Sequence, residues 1–138
     1  AYGKLNRAAL AEIVFNDKEA LRILEEIIHT YVWQEIDKFL NECREAGERA
    51  AILDMPLLIE CGWHQKVDEV WLVVLPVEKQ IMRTMERSGM TAEAVQARIA
   101  AQMPLDEKKK YATLIIDNSG DWEETEKQVI TAWEKAVK

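Results

Sequence analysis

The sequence predicts an α/β domain, and three observations lead there. Three short, nearly continuous apolar runs stand in it: AAILDM (residues 50–55), EVWLVVL (69–75) and ATLIIDN (112–118). Each is stopped by a breaker, Pro56, Pro76, or Ser119 with Gly120. Such continuity is the pattern of strands buried on both faces, which parallel sheets produce. The segments between them carry apolar residues at helical spacing, and strands alternating with helices give right-handed crossovers on a parallel sheet.

Element by element, residues 7–15 have the spacing of a short helix, and Asn16 with Asp17 forms a cap region for the next one. There Leu21, Leu24, Ile27 and Ile28 recur at three and four residues, which predicts one buried stripe. The helical period continues over 31–43 through Val32, Ile36, Phe39, Leu40 and Cys43. The charged stretch 42–49, with Gly47, reads as its end and turn. Further helices are expected over 77–88, 91–102, 106–111 and 122–137, with Thr91 a capped start. Trp33, Trp71 and Trp133 fall at apolar positions and read as core. Trp63 and Trp122 fall at loop-to-helix junctions, where partial exposure is expected.

The 138 residues suit one domain. A chain 49% hydrophobic and 31% charged is neither disordered nor membrane-embedded in composition. No apolar run approaches the roughly 18–20 residues that span a bilayer. The net charge of −7 argues against a non-specific nucleic-acid binder and leaves room for a local basic pocket. Cys43 and Cys61 lack metal-type spacing, and a reduced, cytoplasmic protein is expected. The first residues, AYGKLNR, show no signal-peptide pattern. They also lack an initiating Met, as in a processed chain or a fragment. There is no internal repeat.

Open parallel sheets bind ligands at the carboxyl ends of their strands, so residues 54–60, 75–78 and 117–120 are the junctions to watch. Asp54 could face a metal or a hydroxyl, or cap a turn. Asn118 with Gly120 could line a purine pocket, or simply end a strand. Arg83, Arg87 and Arg98 form the stronger cluster, because a guanidinium donates two parallel hydrogen bonds to one phosphate. Arg83 and Arg87 are one helical turn apart, although Glu86 and Glu93 offer ordinary surface pairing. Lys108, Lys109 and Lys110 read as a solvated face. His29 suits a structural place at the end of its stripe, and His64 has no evident partner. No nucleophile motif, metal-ligand spacing or Gly-x4-Gly-Lys-Ser/Thr loop is present.

Taken together, GKLNRAALAEIVFND, LEEIIH, AILDMPLLIECGW, VDEVWLVVLPVEKQIMRTMERSGMTAEAVQARIAAQMPLDEK and IIDNSG resemble dephospho-CoA kinase, in that family's order and spacing. The resemblance implies ATP-dependent phosphorylation of the ribose 3′-hydroxyl of dephospho-CoA, the last step of coenzyme A synthesis. It also implies a partial P-loop kinase fold: about three parallel strands with flanking helices, a helical CoA-binding region (1–49), an α/β core (50–82 and 112–138) and a helical lid (83–111).

On the same resemblance, Arg7 and His29 stand on the substrate side, with Thr30 where the family usually has Pro. Pro56, Leu57, Leu58 and Glu60 match the strand-end loop that faces the acceptor. Arg87 and Arg98 are the lid arginines expected to stabilise transferring charge, with Gln102 and Lys108 on the lid's far side. Arg83, Asn118 and Gly120 fall on the nucleotide side. Asn6 and Thr113 stand where Asp is common. The expected ligands are dephospho-CoA, ATP and Mg²⁺, with none held tightly by this chain, no metal ligand among its residues, and no nucleic-acid or membrane partner.

The family's opening strand, P-loop and second strand are not found in these residues. With the P-loop strand missing from between AILDM and EVWLVVL, unpaired strand edges are expected: either the two strands pair directly, or a second chain fills the gap, with self-association as one route, or the fragment is marginal alone. The chain alone is expected to be inactive. A non-catalytic CoA- or nucleotide-binding module and a scaffold-only interaction protein are the alternatives.

Overall fold

The structure, a computed structural model, describes residues 5–138, Phe15 by its backbone only. Gly3 and Lys4 of the first quoted segment lie outside the described residues. The chain divides into two compact units, residues 1–52 and 53–138.

The first unit is a helix pair. α1 (Arg7–Asn16) begins at Asn6, whose side chain accepts from the backbone N–H of Ala9, so the residue standing in place of Asp still caps. α2 (Lys18–Glu45) is capped by Asp17, whose carboxylate accepts from the N–H groups of Glu19 and Ala20 at 2.9 and 3.1 Å. The two helical periods seen over 18–43 are therefore one 28-residue helix. It ends where Gly47 takes a positive φ of 72° and the N–H groups of Gly47 and Glu48 satisfy the carbonyls of Arg44 and Cys43. That paired closure needs a left-handed residue, and glycine adopts it without strain. The apolar stripe of α2 is not covered as expected: Leu21 and Leu24 are half-buried, whereas Ile27 and Ile28 are exposed.

The second unit is α/β. After residues 50–55 the chain coils through consecutive turns, closed at Gly62 (φ 72°) by N–H bonds from Gly62 to Ile59 and from Trp63 to Leu58. A 3₁₀ turn (Trp63–Lys66) follows. Next come β1 (Trp71–Val74), α3 (Val77–Ser88), α4 (Ala92–Ala100), the single-turn α5 (Leu105–Lys109), β2 (Leu114–Asp117) and α6 (Trp122–Ala136). β1 and β2 pair in parallel, Trp71 opposite Leu114 and Val74 opposite Asp117. α6 packs on β2, α5 meets β1, and α3 packs on α4.

The parallel α/β arrangement agrees with the sequence reading, and the helix ends agree closely. Three expectations need correction. The sheet has two strands among the described residues, since 50–55 joins no ladder. An apolar run becomes a strand only if a neighbour takes its backbone hydrogen bonds, and no described segment pairs with this one. Nor is either face of the strands wholly covered: Ile116 is 3% exposed, but Val73, its partner in register on the same face, is 54% exposed, and Ile115 on the other face is 46% exposed. Finally, Trp63 is buried and Trp133 exposed, the reverse of the junction and stripe readings. Trp63 packs inward because the closure at Gly62 turns the chain back beneath it.

One side chain ties the start of both strands. Thr113 Oγ1 accepts from the N–H of Val70 at 2.9 Å and donates to the Val70 carbonyl at 3.1 Å. Val70 is buried, so its N–H has no ready alternative. Thr113→Val is expected to cost about 1–2 kcal/mol through that unmade bond, read as a lower urea midpoint at unchanged slope. Thr113→Ser is expected to keep most of the stability.

Candidate functional site

Three segments of the second unit carry all the candidate residues but Arg7 and His29: the turn at 56–60, the pair α3–α4, and the loop 117–120 after β2.

The loop is held from both sides. From α6, Gln128 reaches the end of β2 twice: its Oε1 accepts from the N–H of Asp117, and its Nε2 donates to the Asp117 carbonyl, both at 2.9 Å. Thr125 Oγ1 lies 3.1 Å from Asn118 Oδ1. From α3, Arg83 Nη1 donates to the Asn118 carbonyl at 3.1 Å, and Lys79 Nζ donates to the Ser119 carbonyl at 2.5 Å. The structure thus brings Arg83 and Asn118 together. The Asp117 carboxyl is held below its ordinary 3.8 by hydrogen bonds from the Ser119 side chain and N–H, with a smaller attraction to Lys79. Gly120 is exposed beside this loop. With Asp117, Ser119, Glu124, Lys127 and Gln128 it lines an open groove.

Lys79, Arg83 and Arg87 recur every four residues, on one face of α3. Arg87 sits in the last turn of α3 and Arg98 in the last turn of α4, where cations are favoured by the helix dipole. Both are exposed, and neither has a hydrogen-bond or ion-pair partner among the described residues, so Glu86 and Glu93 do not neutralise them. Gly89, at φ 66°, ends α3 and lets the chain reverse into α4.

At the turn, Pro56 and Leu57 are exposed, Leu58 is half-buried and Ile59 is buried. Glu60 is engaged elsewhere in the unit. Its Oε1 accepts from Lys108 Nζ at 2.6 Å and from the N–H of Met103 at 3.3 Å. Burial would push the Glu60 carboxyl up. The hydrogen bonds and charge of Lys108, with backbone bonds from Glu60 and Met103, outweigh that and leave it below the ordinary 4.5. In the first unit, Arg7 is exposed in the first turn of α1 and His29 is half-buried on α2. Asp54 is exposed and ends no strand. Among the described residues, no group of three His, Cys, Asp or Glu side chains could hold a metal ion.

Sequence reasoning missed Lys79 and misplaced Lys108. Lys109 and Lys110 do form the solvated face expected, pairing with Asp106 and Glu107. Lys108 is the one charged side chain buried among the described residues. For Lys79 the four-residue spacing to Arg83 was a usable signal; for Lys108 no local signal existed.

The family model described as dephospho-CoA kinase matches residues 1–124. The chain belongs to the dephospho-CoA kinase family. A dephospho-CoA kinase of Symbiobacterium thermophilum is 48% identical over 97% of this chain and 56% of its own length. One from Carboxydothermus hydrogenoformans is 44% identical over 96% of this chain and 65% of its own. The chain thus spans between half and two thirds of those relatives. Among solved structures, a crystal structure from Thermus thermophilus superposes with a TM-score of 0.81 at 36% identity, covering 100% of this chain and 70% of that one. A Campylobacter jejuni dephospho-CoA kinase gives 0.69 at 29% identity, covering 99% and 67%. The α/β fold described above is the fold this chain shares with those two structures. No helix among the described residues is long and apolar enough to cross a membrane.

Proposed function

We propose that this chain serves ATP-dependent phosphorylation of the ribose 3′-hydroxyl of dephospho-CoA, in the cytoplasm, and that it supplies the acceptor-side turn and the charge-stabilising arginines of that reaction. One observation carries the reading: Arg87 and Arg98, at the ends of two packed helices in a dephospho-CoA kinase sequence, are exposed and have no partner among the described residues. Phosphoryl transfer is catalysed by positioning and by cations at the transferring group. An arginine without an internal partner is available for that.

On this reading Arg7, His29, Pro56, Leu57 and Leu58 meet dephospho-CoA, with Glu60 shaping their turn. Arg83, Asn118 and Gly120 stand on the nucleotide side. The residues present do not fit ATP·Mg²⁺ by themselves: the 138 residues contain no phosphate-cradling Gly-Lys-Ser/Thr loop, and the described ones form no metal cluster of their own. Turnover by these residues alone is therefore not expected. The unpaired outer edges of β1 and β2 offer a route to self-association.

Calorimetric titration tests the reading. Saturable binding of dephospho-CoA without binding of ATP·Mg²⁺ is the expected result. Failure to bind either leaves only a scaffold. For the arginines, the matching Arg87→Ala change in a complete dephospho-CoA kinase is expected to lower kcat by about 10²–10³-fold at unchanged melting temperature. A normal rate there removes Arg87 from the reaction.

A further inference from the structure

Lys108 is buried, and an ammonium leaves water only where a partner compensates it. Its partner is Glu60, at 2.6 Å, with the two side chains 11% and 21% exposed. Lys108 Nζ also lies 3.4 Å from Gln102 Oε1, and Glu60 Oε1 also takes the N–H of Met103. One carboxylate therefore grips both sides of Pro104: Met103, three residues past the end of α4, and the single turn α5. A helix of one turn is not stable on its own hydrogen bonds, so α5 needs such an anchor. On the other side, Glu60 belongs to the closed turn 57–62, bonded from Cys61 to Leu57 and from Trp63 to Leu58.

We propose that Lys108 is a positioning residue: through Glu60 it holds the 56–60 turn at a fixed place against the end of the arginine-bearing helix α4. The consequence for dephospho-CoA rests on the function proposed above. Leu57 and Leu58 would meet the acceptor while Arg98, two residues before the end of α4, meets the transferring group. The Glu60–Lys108 pair sets the spacing between them. Glu60 then acts by holding its own turn and not by touching substrate.

The test compares this chain with its Lys108→Met, Lys108→Arg and Glu60→Gln variants, the last changing charge at nearly constant shape. Without ligand, amide hydrogen exchange is followed by residue. The expected result is exchange at least about tenfold faster at Cys61, Gly62, Trp63 and Met103 in Lys108→Met and Glu60→Gln, with a smaller change at Asn118 and the α6 amides, as in a local opening. Lys108→Arg is expected to stay near wild type. Equal acceleration everywhere, or none at the turn, overturns the proposal. With ligand, calorimetry is expected to show dephospho-CoA affinity falling about tenfold in Lys108→Met and returning in Lys108→Arg, at temperatures where all are folded. Unchanged affinity also overturns it. If the wild-type chain itself binds no dephospho-CoA, the function proposed above fails, and the positioning pair is judged by the ligand-free exchange alone.

Discussion

Ile116→Ala is expected to destabilise the 53–138 unit by about 2–4 kcal/mol, whereas Ile115→Ala, one residue earlier on the same strand, changes it by less than about 0.5 kcal/mol. The contrast follows from the strand's period of two. Ile116 is 3% exposed, while Ile115, on the opposite face of the sheet, is 46% exposed. Removing three carbons from Ile116 loses their transfer free energy and leaves a void that a two-stranded sheet has little material to close. That sheet also carries the loop 117–120, so Arg83 and Lys79 lose their acceptors when it opens. Urea unfolding followed by far-ultraviolet circular dichroism reads both variants. Equal effects from the two substitutions would mean that the strand is not buried on the Ile116 face.

How far the sequence revealed this architecture depends on where each signal was stored. Helix ends were legible because their determinants are local. Asp17, Thr91 and Asp121 each cap the helix that follows with their own side chain, and Pro76 opens α3. The strands at 71–74 and 114–117 were legible because each finds the other. The run at 50–55 has comparable hydrophobicity and no partner, so it stays outside the sheet; composition supplies a strand's side chains but not its neighbour. The same limit explains the exposure of Val73 and Ile115, on opposite faces of the sheet, whose apolar character suggested a cover. Of the candidate site, the Arg83–Arg87 spacing was visible because a helix repeats it. The contact of Glu60 with Lys108 was not, because a long-range ion pair leaves no periodic trace. Trp63 was misjudged for a related reason: a tryptophan after glycine marks a junction, and only the chain closure at Gly62 decides which way it points.

Lys108→Met is expected to cost the same unit about 2–3 kcal/mol at pH 7, below the roughly 3–5 kcal/mol typical of a fully buried pair, because both side chains retain some exposure. Most of that loss comes from stranding the Glu60 carboxylate, whose Oε2 is buried with no hydrogen-bond partner among the described residues even in the intact pair. The double variant Glu60→Gln/Lys108→Met is therefore expected to be more stable than Lys108→Met alone, a non-additivity that a double-mutant cycle measures directly. Acid gives the sign. In the intact chain the Glu60 carboxyl titrates below its ordinary 4.5, so its contribution is complete above about pH 4.5 and is lost as pH falls through the folded value. Wild type and Glu60→Gln should thus differ most near neutrality and converge in acid, since groups common to both cancel in the difference. In Lys108→Met the lysine no longer opposes burial, the carboxyl is pushed up instead, and the sign reverses: its deficit relative to the double variant shrinks as the solution is acidified. Parallel stability curves for wild type and Glu60→Gln from pH 7 to pH 3 would show that the pair contributes nothing through its charge, and that Lys108 is buried for its methylenes alone.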